Sequence, residues 1–238
     1  MKTIFYRSLN LRRFGLALLS GLLLAMSFPK FNLWWLAWIT PGLLVLVSLG
    51  QSRWTILGVG YVAGLTQFLV GFYWLLLIPK PVVGIVAWLL VAALMALYIA
   101  AWTWVSCRCF PKNVFAANDP NPTTPLGVQL LSVGWPRRAL WAFTCAAAWV
   151  AMEMAIARIL NGFPYSLGLS QFEFLPLIQI ASVTGVHGIS FLVVWTSISL
   201  ASAVVVTWCR RPVFLALVRR LREHRSPQAQ RENCQGGC

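Results

Sequence analysis

Residues 82–105 read VVGIVAWLLVAALMALYIAAWTWV, an apolar run without a charged side chain. The hydrocarbon core of a bilayer is about 30 Å thick, and an α-helix crosses it with about 20 apolar residues. The run is long enough to do so, and such an uninterrupted apolar run is typical of a membrane span. This stretch therefore predicts a transmembrane helix and decides the class of protein.

The composition of the whole chain agrees with that class. Of 238 residues, 59% are hydrophobic and 10% are charged, a balance that would expose extensive apolar surface in a water-soluble domain. Further apolar stretches lie on both sides of residues 82–105. We therefore expect an all-α integral membrane protein, a bundle of about six transmembrane helices, with spans near residues 14–28, 33–49, 55–78, 82–105, 139–160 and 185–209.

The basic residues give the orientation, because Lys and Arg accumulate in cytoplasmic loops. Of the 19 basic residues, only Lys30, Lys80 and Arg158 fall on one side of the predicted topology. Both termini are therefore predicted to be cytoplasmic. The other segments follow: a cytoplasmic loop at 108–138, a periplasmic loop at 161–184, and a basic cytoplasmic tail at 210–238 that either lies on the inner leaflet or is disordered.

The net charge of +14 raises the question of nucleic-acid binding. The basic residues, however, lie at the ends of the apolar stretches and do not form a basic face interleaved with aromatic side chains. This placement suits membrane orientation and contact with anionic headgroups. We therefore expect the membrane as a partner and no nucleic acid.

Glu153, Arg158 and His187 are the polar residues to weigh, because ionisable groups at membrane depth are costly. Arg158 is expected to extend to the outer interface. Glu153 is either a hydrogen-bonded structural residue or a functional one, and both alternatives stay open. A single His near a helix start is more often structural, no nearby Ser and acid complete a triad, and no second His offers a metal site. We expect no metal and no cofactor.

Residues 161–171 read NGFPYSLGLSQ and follow the fifth predicted span. Gly and Pro end the helix there, and aromatic side chains follow at the level of the outer headgroups. Such a segment can cover a lipid-accessible groove, or it can be an ordinary re-entrant connection. The spacing leaves both alternatives open.

Two further patterns concern packing. Gly60, Gly64 and Gly71 form a smooth stripe on the third predicted span, which favours close approach of a neighbouring helix. Most tryptophans fall near the ends of predicted spans, where they are expected to anchor the chain at the membrane interface. These are Trp34, Trp35, Trp38, Trp54, Trp74, Trp88, Trp102, Trp104, Trp135, Trp141 and Trp208.

Several stretches, in the same order, resemble the amino-terminal membrane region of the apolipoprotein N-acyltransferase family of the bacterial inner membrane. The matching stretches are SFPKF at 27–31, GFYW at 71–74, AAWVAME at 147–153, GFPY at 162–165, SQ at 170–171, PLIQ at 176–179 and GVHGISFL at 185–192. The stretches from residue 147 onward are the most specific. The resemblance implies a multi-pass protein of the bacterial cell inner membrane.

The resemblance also implies a reaction. Family members transfer an acyl chain from a phospholipid, through a thioester on the enzyme, to the amino group of a diacylglyceryl-modified cysteine on an apolipoprotein. They do so with a Glu-Lys-Cys triad in a nitrilase-like domain. No residue of this chain can be assigned to that triad, so we predict no catalytic residue here and expect the chain alone, as a truncated family member, to be inactive.

For the membrane region, the resemblance implies contact with phospholipid and lipoprotein substrates. The expected contact residues are Gly162, Phe163, Pro164, Tyr165 and Gln171, and Glu153 is expected to support their loop from within. The main alternative is a non-catalytic membrane protein.

Such a protein would be either a degenerate relative or an accessory subunit that pairs with a separate nitrilase-like chain. A transporter is a further alternative, weakened because the sequence contains no internal repeat.

Overall fold

A computed structural model describes residues 2–111, 130–131, 133–159 and 165–235, and the side chains of these ranges between residues 11 and 210. The described chain is helical and contains no strand, so the predicted all-α class is confirmed. The α-helices are α1 (Lys2–Met26), α2 (Thr40–Ser48), α3 (Arg53–Gly71), α4 (Pro81–Arg108), α5 (Trp135–Ile159), α6 (Leu175–Ile178) and α7 (Ala181–Gln235). Short 3₁₀ helices occupy Trp34–Trp38, Tyr73–Leu77 and Leu167–Gln171.

Four helices in the described part are long and apolar enough to cross a membrane. They are α3, α4, α5 and the Ala181–Arg210 part of α7. The apolar stretch Trp34–Ser48 is shorter, and α1 has 25 residues with basic side chains in its first half. The chain is an all-α membrane protein.

The second and third predicted spans differ from single α-helices. Within 33–49, the 3₁₀ helix Trp34–Trp38 is followed by α2, and Pro41 lies in the first turn of α2. Within 55–78, α3 ends at Gly71 and the backbone tightens into the 3₁₀ helix Tyr73–Leu77. Hydropathy does not distinguish these local geometries, because both kinds of helix are built from the same apolar residues.

The sixth span is interrupted at its start and extended at its end. Gly185 has φ 70° and ψ 177°, a conformation that essentially only glycine adopts, and it breaks α7. The helix then continues through Gln235, so the backbone of 210–235 is helical. A helix differs from the alternative of a disordered tail, whereas the alternative of a tail that lies on the inner leaflet stays a prediction. The Arg, Leu, Ala and Glu residues of this segment are good helix formers.

α3 and α4 pack at close range along the predicted glycine stripe. A Cβ atom on Gly60 would lie 2.8 Å from Ala100 Cα, and one on Gly64 would lie 2.9 Å from Ala96 Cα. Real Cβ atoms essentially never come so near, so only glycine permits this approach. The predicted close packing at Gly60 and Gly64 is confirmed.

Two tryptophans predicted to be interfacial anchors lie instead in the core. Trp102 on α4 is fully buried and donates its indole N–H to Cys145 O on α5 at 2.9 Å. Trp141 on α5 is also buried and donates to Ser106 O on α4 at 2.8 Å. The interfacial prediction was wrong for both, because a buried carbonyl can take the place of an interfacial partner for the indole N–H.

The segments that connect the helices at one end of the bundle contact one another directly. The Phe28 ring, after α1, stacks on the Tyr165 ring with centroids 4.6 Å apart. The Trp34 ring stacks on the Phe174 ring at 5.4 Å. We call this end of the bundle the outer end; it comprises residues 27–38, 73–80 and 165–180.

Candidate functional site at the outer end

Glu153 lies on α5 and is only 5% exposed, although it is ionisable. Its Oε1 accepts a 2.7 Å hydrogen bond from the indole N–H of Trp149, which is four residues earlier on the same helix. Side chains four apart on a helix lie on the same face. The first partner of this carboxylate is therefore built into the local sequence.

The remaining partners come from the segment after α5. The backbone N–H of Leu167 donates to Glu153 Oε1 at 2.8 Å, and Ser166 Oγ donates to Glu153 Oε2 at 3.2 Å. Leu167 is the first residue of the 3₁₀ helix Leu167–Gln171. Glu153 thereby holds the start of this helix.

α7 completes the cluster around Glu153. His187 Nδ1 lies 3.3 Å from Glu153 Oε2, and His187 follows the Gly185 break by two residues. Ser190, one turn further along, shares a 2.9 Å hydrogen bond with Ser166 Oγ and accepts from the backbone N–H of Gly168 at 2.8 Å. The cluster thus joins α5, the 165–171 segment and α7.

The order of groups in this cluster decides what it can do. In a nucleophilic triad, the histidine lies between the serine and the carboxylate and takes the serine proton. Here the carboxylate of Glu153 lies between Ser166 and His187 and contacts both. A histidine on the far side of the carboxylate cannot activate Ser166. The arrangement therefore lacks the order of a Ser-His-acid triad, and it positions the backbone at Leu167.

Gln171 ends the 3₁₀ helix and is fully buried. Its Oε1 accepts from the Trp38 indole N–H at 2.9 Å, and its Nε2 donates to Trp34 O at 3.0 Å and to Ser170 Oγ at 2.8 Å. Both ends of the amide are therefore used within the protein. The geometry gives Gln171 a positioning role between the 165–171 segment and the 3₁₀ helix Trp34–Trp38.

Tyr165 is enclosed by aromatic rings from the end of α3, from the residue after it, and from the turn after α1. Besides its stack on Phe28, its ring lies 5.1 Å from Phe68 and 5.0 Å from Phe72, centroid to centroid. Its hydroxyl oxygen accepts from Gln67 Nε2 at 3.3 Å. Burial raises the pKa of the Tyr165 hydroxyl above its ordinary value, so the phenol stays neutral at physiological pH.

The other predicted site residues have different outcomes. Gly162, Phe163 and Pro164 lie outside the described residues. Arg158 is exposed in the last turn of α5, and its extension to the outer interface stays a prediction. Among the described side chains, no group of three or more His, Cys, Asp or Glu residues is arranged to hold a metal ion.

Residues 20–199, which include this whole cluster, match the model of the apolipoprotein N-acyltransferase N-terminal domain. The chain belongs to the apolipoprotein N-acyltransferase family. The predicted resemblance is confirmed, and the match extends well beyond the stretches on which it was based.

Individual members of the apolipoprotein N-acyltransferase family agree. The chain is 31% identical to the apolipoprotein N-acyltransferase of Geobacter metallireducens over 193 residues, which cover 79% of this chain and 33% of that protein. It is 30% identical to that of Vibrio vulnificus over 213 residues, which cover 85% of this chain and 36% of that protein. It is 26% identical to that of Vibrio cholerae over 193 residues, which cover 78% of this chain and 33% of that protein. The chain thus spans about a third of the length of the curated relatives it matches.

Sequence reasoning missed several residues of the Glu153 cluster and of the contacts around Tyr165 and Gln171. Ser166 and Ser190 carry no signal of their own, because serine is common in membrane helices and turns. Gln67 was detectable as a polar side chain inside the apolar third span. The Trp38 indole was assigned to the membrane interface, whereas it donates to Gln171.

Proposed function

We propose that this chain is the membrane domain of an apolipoprotein N-acyltransferase in the bacterial cell inner membrane. In this role it holds a phospholipid acyl donor and a diacylglyceryl-modified lipoprotein at the outer end of the bundle. Both termini are cytoplasmic, and the outer end faces the periplasm. The family match over residues 20–199 supports this proposal.

The observation that carries the proposal is the hydrogen bonding of the Glu153 carboxylate. A buried carboxylate is costly in a membrane protein unless donors surround it. The donors here are an indole, a backbone amide and a hydroxyl, and two of the three belong to the segment that begins at Tyr165. A buried carboxylate, which is costly to remove from water, thus holds the 165–171 segment in place at the outer end. A segment fixed in this way is suited to presenting a surface to a ligand.

The fixed segment presents apolar side chains to the surroundings. Leu169, Phe172 and Phe174 are each about two-fifths exposed, and Leu175 is 70% exposed. Their neighbours Gln171 and Tyr165 point inward and hold the segment in place. We infer that lipid-modified substrates contact this apolar surface, and that Glu153, Tyr165 and Gln171 act by positioning it.

The acyl transfer itself is assigned to other groups. The histidine of the cluster cannot activate a serine, and the cluster contains no cysteine. We infer that the membrane domain alone does not transfer acyl chains and that a nitrilase-like domain, on the same chain or on a separate partner chain, supplies the thiolate.

An antibody against residues 119–125 tests this proposal in native membranes. Complexes captured with it are supplied with phospholipid and a diacylglyceryl lipopeptide, and N-acylated product is measured by mass spectrometry. A lipopeptide with a blocked amino group is the control. We expect product from the unblocked peptide only.

The mass of the captured chain separates the two arrangements. A band well above 26.5 kDa indicates that the catalytic domain is on the same chain, and a band at that mass with a co-purifying nitrilase-like chain indicates a partner. Capture of a 26.5 kDa chain without a partner and without product would contradict the acyltransferase function and favour a degenerate relative.

A further inference from the structure

Lys30 is a cation in an otherwise apolar part of the outer end. Its side chain is exposed, and its Nζ lies 3.5 Å from the centroid of the Tyr73 ring. An ammonium group over an aromatic face is attracted by the ring quadrupole. Lys30 forms no ion pair with a carboxylate of the described residues. Its charge is therefore held in place by an aromatic ring and is not neutralised there.

The backbone that carries Lys30 is fixed. The N–H groups of Phe31 and Asn32 both donate to Phe28 O, at 3.1 and 3.0 Å, and the N–H of Leu33 donates to Met26 O at 3.1 Å. The Phe28 ring stacks on Tyr165 in the site described above. The turn therefore fixes the backbone of Lys30 two residues after a ring that packs on Tyr165, and the ammonium group itself lies over Tyr73.

The surface next to Lys30 is apolar and open. Tyr73 begins the 3₁₀ helix Tyr73–Leu77, in which Trp74 is 48% exposed and Leu77 is 77% exposed. In a bilayer, side chains of this kind at the end of a span contact lipid near the headgroups. We therefore expect the ammonium group to lie where the phosphates of one leaflet border the apolar region.

We propose that Lys30, held over Tyr73, binds the phosphate of a phospholipid, whose acyl chains lie along the exposed side chains of the 3₁₀ helix Tyr73–Leu77. An ammonium group has three donors, and the phosphate oxygens provide strong acceptors of opposite charge. The exposed Trp74 and Leu77 provide the apolar contact for the chains. This proposal deepens the proposed function and rests on it for its meaning, because a phospholipid is the acyl donor there.

The test needs no turnover, so its failure is distinguishable from failure of the acyltransferase function. The whole protein is placed in nanodiscs of phosphatidylcholine with a phosphatidylglycerol that carries a diazirine near the start of one acyl chain. After illumination, adducts are mapped by mass spectrometry. Adducts on Trp104, which is 38% exposed near the other end of α4, serve as the internal reference, because this residue lies at the depth of the diazirine in the opposite leaflet.

Lys30→Gln is compared with Lys80→Gln, which removes the same charge from another exposed lysine at the outer end. We expect the adduct yield on residues 73–77 to fall about fivefold in Lys30→Gln, and to stay unchanged in Lys80→Gln and Lys30→Arg. A diazirine-labelled diacylglycerol, which has no phosphate, should label residues 73–77 equally in the wild type and in Lys30→Gln.

Three results would overturn the proposal: equal phospholipid labelling in Lys30→Gln and the wild type, an equal fall in both lysine variants, or the same fall with the diacylglycerol probe. If the reference adducts on α4 also change in Lys30→Gln, the Tyr73 variants decide. Tyr73→Phe keeps the ring and should label as the wild type does, whereas Tyr73→Leu should label less. Equal labelling of these two variants would contradict the role of the ring.

Discussion

His187 and Glu153 are 34 positions apart in the sequence, yet His187 Nδ1 lies 3.3 Å from Glu153 Oε2. The contact joins the start of the membrane part of α7 to the outer half of α5. Between them, Ser166 and Leu167 donate to the same carboxylate. One buried acid thereby determines how two membrane helices and the segment that connects them fit together.

Replacing Glu153 by Gln tests this role. The amide retains one acceptor oxygen and directs an NH₂ group at donors, so we expect the free energy of unfolding to fall by about 2 kcal/mol. Thermal unfolding in detergent, followed by tryptophan fluorescence, measures the change. Glu173→Gln is the control, because Glu173 is exposed at the same end of the bundle. Equal melting temperatures of Glu153→Gln and Glu173→Gln would mean that the hydrogen bonds accepted by Glu153 do not contribute to stability.

Gln171→Glu keeps the shape of the side chain and removes its donors. The carboxylate still accepts from Trp38 Nε1 but faces the lone pairs of Trp34 O, which costs about 2 kcal/mol. We expect faster proteolysis of residues 165–178 from the outer side. Gln179→Glu makes the same change at an exposed position and should cleave as the wild type does. Similar cleavage of both variants would contradict a positioning role for Gln171.

Tyr165 permits a separation of ring packing from hydrogen bonding. Tyr165→Phe loses the contact with Gln67 Nε2 and should lower the free energy of unfolding by about 1 kcal/mol. Tyr165→Ala removes a ring that contacts Phe28, Phe68 and Phe72, and should cost about 4 kcal/mol.

Binding of a photoreactive diacylglyceryl lipopeptide provides the functional measurement for the Tyr165 variants. It should weaken in Tyr165→Ala, because the apolar surface that follows residue 165 loses its support. Unchanged binding in this variant would contradict the assignment of the 165–171 segment to substrate contact. The phenylalanine variant, which keeps the ring, should bind nearly as the wild type does.

Gly64 tests the close packing of α3 on α4. A leucine there would meet the Ala96 backbone, and we expect the free energy of unfolding to fall by about 3 kcal/mol. Gly15→Leu is the matched control, because a Cβ at Gly15 would have no neighbour within 4 Å. The melting temperatures of Gly64→Leu and Gly15→Leu are compared, and we expect only the first to fall strongly. If they fall equally, the approach of α3 and α4 does not depend on Gly64.

Gly185→Ala isolates backbone strain from steric overlap. A Cβ at Gly185 would have no neighbour within 4 Å, so steric overlap is absent. The backbone conformation, with φ of 70° and ψ of 177°, disfavours L residues, and we expect alanine to lower the free energy of unfolding by about 2 kcal/mol. We expect faster amide hydrogen exchange at residues 186–190, because the break in α7 positions His187. Unchanged exchange would mean that the break tolerates a side chain.

The sequence was sufficient for the class of the protein and for its family. Long apolar runs such as 82–105 and ordered motifs such as GVHGISFL carry those conclusions in local residues. It was not sufficient for the Glu153 cluster. Its partners Ser166 and His187, and Ser190, which is hydrogen-bonded to Ser166, have no periodic relation to Glu153, and only tertiary packing brings them together. The Trp102 and Trp141 assignments failed for the same reason, since their acceptors lie on a different helix.

Local backbone geometry was also beyond the sequence. The 3₁₀ turns at Trp34–Trp38 and Tyr73–Leu77 have the hydropathy of the helices beside them. The sequence shows that Gly185 can adopt a positive φ, but Gly188, three positions later in the same motif, can do so equally well. Sequence alone therefore does not indicate which of the two breaks the helix.

The surroundings of Glu153 also have a consequence for biogenesis. Ribosomes make α5 before the residues that donate most of the hydrogen bonds to its carboxylate, and only Trp149 precedes Glu153. When α5 enters the translocon, its acid therefore lacks the donors from residues 166 and 167 and the contact with His187. We therefore expect α5 to integrate more stably once α7 has followed it into the membrane.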